Sequence, residues 1–209
     1  MRLTGSSALA LNTVAINALR VVSTVCLTRL LSPDVYGITG VIMSVFYMIT
    51  MITELGFQPY VVRHERSDDP DFISAVFTIH AIRGILLAAT GVLLAWPLSL
   101  VLEKPTLTLP LAICSLTFII DGQVSLNQLR GLRDGKIQRY ALIDLIGSIS
   151  QTSAAIALAF VFHNVWAIVG SMFFGSLVRV WIGYALFPGT QMQFRLDREV
   201  ELELRVAAP

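Results

Sequence analysis

Residues 74–97 read SAVFTIHAIRGILLAATGVLLAWP, and His80 and Arg83 are their only ionisable side chains. A membrane-crossing helix needs about 20 mainly apolar residues, because the hydrocarbon core is about 30 Å thick and a helix rises about 1.5 Å per residue. The stretch is therefore long enough to span. Five others read the same way, at 8–28, 38–57, 107–128, 141–162 and 165–187. Transmembrane strands would appear as alternating segments of about 10 residues, and these runs are continuous and longer. The 209 residues are 55% hydrophobic and 14% charged, with a mean hydropathy of +0.73. Soluble domains carry roughly 25% charged residues. The expectation is an all-α polytopic membrane protein: a six-helix transmembrane lobe over 1–190, then a charged tail over 191–209.

The first stretch follows Arg2, as a signal peptide would, but it carries Asn12, Asn17 and Arg20 and has no small-residue cleavage site after a short apolar core. It reads as a retained helix. Cys26 and Cys114 fall inside spans, where a thiol behaves as a small apolar residue. The net charge of +1 implies no attraction to nucleic acid. Its distribution is more telling. Arg2, then Arg63 and Arg66, then Arg130, Arg133, Lys136 and Arg139, then Arg195, Arg198 and Arg205 fall at the termini and alternate connections; the others carry Arg29 and Lys104. The positive-inside rule then places both termini in the cytoplasm. Trp96, Trp166 and Trp181 lie close to span ends, as interfacial anchors do.

The connection after the first stretch reads Thr28-Arg29-Leu30-Leu31-Ser32-Pro33-Asp34-Val35-Tyr36-Gly37, a tight turn between two spans. It resembles the first hairpin of the polysaccharide-transporter (oligosaccharide flippase) branch of the multidrug/oligosaccharidyl-lipid/polysaccharide flippase superfamily, which commonly reads T-R-L-L-S-P-x-x-Y-G. The likeness continues in Glu54-Leu55-Gly56-Phe57 and Val61-Val62-Arg63, in Ala81-Ile82-Arg83-Gly84, and in Phe194-Arg195-Leu196-Asp197. Members have about twice as many helices, in two facing lobes around a cavity. By that resemblance the chain is the N-terminal lobe. Glu199, Glu201, Glu203 and Arg205 lead towards a second lobe that does not follow, so the chain reads as a truncated product, with a split or dimeric transporter as the alternative.

An ionisable group at mid-bilayer costs roughly 2.5–3.5 kcal/mol on insertion scales, so such residues face protein or a water-filled cavity. Thr13, Asn17, Arg20 and Thr24 recur at helical spacing and form one polar stripe. His80, Arg83, Gly84 and Gly91 share a face in the third stretch. Cys114, Asp121, Ser125 and Gln128 align in the fourth, Asp144, Ser148, Gln151 and Ala155 in the fifth, and Ser171, Gly175 and Arg179 in the sixth. Two readings stay open. The arginines hold an anion, since guanidinium makes bidentate charge-assisted bonds to phosphate; or Arg20, Arg83 and Arg179 pair with Asp121, Asp144 and Glu54 and merely hold the helices together. Arg179 is expected to pair or to snorkel towards headgroups. Asp121 is either a coupling-ion site or a partner for an arginine; His80 is expected to be a packing residue and Glu54 a helix cap. The basic connection 130–139 reads chiefly as a topology signal.

The resemblance implies a flippase, not an enzyme. It would move a glycan linked to polyprenyl pyrophosphate across the inner membrane by alternating access, with Arg20, Arg83, Asn17, Thr13 and Thr24 binding substrate and Asp121 a possible coupling-ion site. The partners implied are that lipid-linked glycan, membrane lipids, and a second lobe or polysaccharide-assembly proteins. No cofactor and no metal is implied. Two other readings compete: a cation-coupled drug exporter resting on Asp121, and a non-transporting scaffold of a polysaccharide-assembly complex. A polyprenyl-phosphate transferase would need clustered carboxylates for a divalent metal, whereas Asp68-Asp69 stands alone before Pro70.

Overall fold

The computed structural model describes residues 5–54 and 69–188, and among these every regular element is helical. The chain runs through α1 (Gly5–Leu30), α2 (Pro33–Glu54), α3 (Pro70–Val101), α4 (Thr108–Ser115), α5 (Thr117–Asp121), α6 (Asn127–Arg133), α7 (Ile137–Phe162) and α8 (Trp166–Leu186), with a 3-10 turn at Pro105–Leu107 before α4. Five of the described helices are long and apolar enough to cross a membrane: α1, α2, α3, α7 and α8. Helices are what hydrocarbon permits, because each backbone N–H and C=O must be satisfied within the segment. The motifs at 55–57, 61–63 and 194–197, the residues Arg2, Arg66 and Arg198, and the tail over 191–209 lie outside the described residues, as do the side chains of Glu54, Arg130 and Arg133.

The turns follow local chemistry. Pro33 opens α2 at the first helical position, where its missing N–H costs nothing. The α3 N-terminus is capped by Asp69, whose carboxylate accepts from the Asp71 amide at 3.0 Å, with Pro70 next in line. Between α7 and α8, His163 adopts a left-handed conformation (φ 50°) that stops α7, and Asn164 Oδ1 accepts from the Trp166 amide at 3.0 Å. That hairpin matches the boundary expected at 162–165.

Two spans differ from expectation. Helix α3 continues through Pro97 to Val101, although proline removes one intrahelical bond. Burial of Ala95 and Ser99, with Leu98 packed against Leu107 and Leu111, carries it past the proline. The fourth stretch, expected as one helix over 107–128, is instead broken. The Thr117 hydroxyl donates to the Cys114 carbonyl at 2.6 Å. The amides of Leu116 and Ile119 donate three residues back, to Ile113 and Leu116. Three-residue bonds thus replace the four-residue ladder at Leu116, with the Thr117 hydroxyl on the Cys114 carbonyl beside the break. The second piece ends at Asp121, so the expected face Cys114, Asp121, Ser125, Gln128 is not carried by one helix. Cys114 is buried against Met172, sulfur to sulfur 3.7 Å, and Ser125 and Gln128 are buried beyond the break.

Helix α8 packs most extensively on α7, which also carries α1; α3 packs on α4 and α5; of the five long helices, α2 touches its neighbours least. Three apolar clusters mark these contacts. One joins the start of α3 (Phe72, Ile73, Val76) to Leu126 and Leu129; a second gathers Ile42, Ala95, Leu111, Val169 and Met172; a third joins Leu27 and Leu31 to Ala155, Ala159 and Ile168. Trp96, Trp166 and Trp181 all point outward.

Candidate functional site

Polar residues of six helices converge on a cleft made of two adjoining cavities. The larger, about 480 Å³, lies among α1, α2, α7 and α8, and its lining includes Arg20, Thr24, Tyr36, Gln151, Ser171 and Arg179. The smaller, about 290 Å³, lies among α2, α3, α5 and α8 and is lined by His80, Arg83, Asp121 and Arg179, among others. Phe46 and Arg179 line both. Phe46 is held by a parallel stack on Phe118, centroids 4.3 Å apart and planes at 3°. This contact ties α2 to α5 where α2 has few others.

Arg179 sits on the face of α8 that packs on α7. Its stem crosses Gly147 of α7, in space that a Cβ at 147 would occupy. The guanidinium donates from Nη2 to Gln151 Oε1 at 3.3 Å. Its Nε is buried without a hydrogen-bond partner. Ser171 and Thr39, both in the lining, donate back to the carbonyls of Ile168 and Val35 in their own helices.

The sequence-derived residues divide between the cavities. Arg20 and Thr24 line the larger, and Arg83 and Asp121 share the smaller. Thr13 and Asn17 are exposed on α1 towards its N-terminus and line neither. Among the described residues Arg20 makes no ion pair, Arg179 bonds a neutral amide, and Asp144 lines neither cavity. Among the described residues the lining of the cleft holds three arginines and one aspartate, a cationic excess. Arg179 was expected to pair or snorkel; instead its side chain turns across onto α7. The signal for this lay in the spacing Ser171, Gly175, Arg179, which puts small residues on the face that α7 covers.

The sequence profile of the polysaccharide biosynthesis protein family matches residues 26–204. The chain belongs to that family. Comparison with curated proteins and with solved structures returned no match. In this polysaccharide biosynthesis protein the matched region begins at the end of α1 and takes in Arg83, Asp121 and Arg179, while Arg20 and Thr24 precede it. With five long apolar helices and this family, it is a membrane protein of polysaccharide synthesis.

Proposed function

We propose that this protein is one lobe of a transporter that flips a lipid-linked oligosaccharide from the cytoplasmic to the outer leaflet of the inner membrane, with both termini in the cytoplasm. The observation that carries the reading is the cationic cleft. Arginines within spanning helices are costly, and gathering Arg20, Arg83 and Arg179 around a cleft whose described lining has one aspartate adds mutual repulsion. An anion bound between them offsets both terms. Its pyrophosphate would meet the guanidinium groups. Sugars would meet Ser148, Gln151, Thr152 and the tyrosines, and the apolar lining from Ile16, Leu19 and Met43 suits a lipid. Alternating access needs a second lobe or partner to rock against this one around the bound substrate.

The test is to deplete the protein and locate glycan-loaded polyprenyl pyrophosphate by sidedness-sensitive labelling in intact cells and inverted vesicles. Trapping on the cytoplasmic leaflet is expected, relieved by the parent gene and not by Arg83→Ala. An unchanged leaflet distribution would overturn the proposal. The cation-coupled exporter reading gains from Asp121 lining the smaller cavity. It predicts transport lost with Asp121→Asn and retained with Arg20→Ala, the reverse of the order expected here.

A further inference from the structure

We propose that Arg179 is the fixed anion contact of the cleft, reached from both cavities, and that Gly147 and Gln151 are positioning residues that hold its guanidinium there. This rests on the transport reading and assigns one residue of the site it describes. Among the described residues, Arg179 is the charged side chain lining both cavities. Arg20 projects from an exposed position on α1 and has no hydrogen bond among the described residues, so ordering it on a ligand costs side-chain entropy. Arg179 has met much of that cost already. Its stem is confined over Gly147 and one guanidinium nitrogen is bonded to Gln151. Guanidinium carries five N–H donors in a rigid fork, and the single bond to Gln151 leaves others for a ligand.

The ligand chemistry follows from the surroundings. Arg20 and Arg179 reach the larger cavity from different helices, α1 and α8, and Arg83 and Arg179 share the smaller. A group taking bonds from guanidinium ions on separate sides needs acceptor oxygens pointing several ways. A phosphoryl or diphosphoryl group has them, whereas a carboxylate presents one planar edge. Apolar residues beside the arginines in the larger cavity place a hydrocarbon portion next to that anion.

The experiment measures radiolabelled farnesyl diphosphate and farnesyl monophosphate binding to the full chain in phosphatidylcholine nanodiscs, corrected for empty discs. The parent protein is expected to prefer the diphosphate. Arg179→Met keeps a stem over Gly147 and removes the fork; it should bind the diphosphate about tenfold or more weakly, the loss of a charge-assisted hydrogen bond, and lose the preference. Gly147→Ala and Gln151→Met keep the guanidinium but displace it, and should weaken binding severalfold. A purely structural arginine would shift the unfolding midpoint without changing the diphosphate preference. Equal affinity and preference in the parent and Arg179→Met would sink this inference alone; no binding by the parent would sink the transport reading with it. Where Arg179→Met yields no folded protein, Arg179→Lys replaces it, and an unchanged preference there overturns the guanidinium contact. Competition by phosphatidylglycerol in the discs at equal potency would make the ligand a bilayer headgroup and overturn the substrate assignment.

Discussion

Gln151 of α7 occupies the space left open by Gly175 of α8: a Cβ on residue 175 would stand 2.7 Å from the Gln151 Cβ and 3.0 Å from its Cγ. One turn away the relation is reversed, with Arg179 of α8 lying over Gly147 of α7. Each helix offers a glycine to the other's long polar side chain, and the two side chains meet in a hydrogen bond. In a bilayer, where apolar surface gains little by leaving lipid, close packing and interhelical hydrogen bonds are what hold helices together.

Gly175→Ala should therefore weaken the α7–α8 pair. The atom met is the Gln151 Cβ, near the backbone, so relief requires the helices to part. A loss of about 1–3 kcal/mol is expected, read as a lower unfolding midpoint in detergent, with weaker substrate binding through the displaced Gln151.

A second close crossing predicts a larger effect. A Cβ on Gly84 of α3 would lie 2.5 Å from the Phe118 carbonyl oxygen and 3.0 Å from the Gly122 Cα, both backbone atoms of the α5 region. Backbone cannot rotate away. Gly84→Val should cost more than Gly175→Ala and lower the yield of folded protein in the membrane, measured by fluorescence-detected size exclusion.

The stack of Phe46 on Phe118 is worth about 0.5–1.5 kcal/mol beyond area burial. Because α2 makes the fewest contacts of the five long helices, Phe46→Leu should loosen α2 selectively. Hydrogen exchange is expected to rise around residues 42–50, with α7 and α8 unchanged.

Arg20→Ala separates function from stability. The side chain is exposed and has no partner among the described residues, so its loss should move stability by no more than about 0.5 kcal/mol. Flipping should nevertheless fall sharply, scored by leaflet-specific labelling at matched protein levels. A large drop in the unfolding midpoint would show that Arg20 holds the fold instead.

Apolar runs long enough to cross hydrocarbon left the backbone no alternative to helix, so the all-α membrane architecture and the hairpins at Pro33 and at 163–165 were legible residue by residue. So was the family likeness in the turn after the first span. The break at Leu116 was not, because a local switch to three-residue hydrogen bonds leaves no mark in a continuous apolar run. Nor could spacing rank the polar residues. These helices are apolar around most of their circumference, so periodicity names a stripe without saying what faces it. Thr13 and Asn17 shared a stripe with Arg20 yet line neither cavity. Arg179, expected to pair with a carboxylate or to snorkel towards headgroups, instead lies over Gly147 at the α7–α8 crossing, where Gly147 and Gly175 on opposite helices make room for long polar side chains. That pairing joins residues 24 to 32 positions apart, and packing alone brings them together.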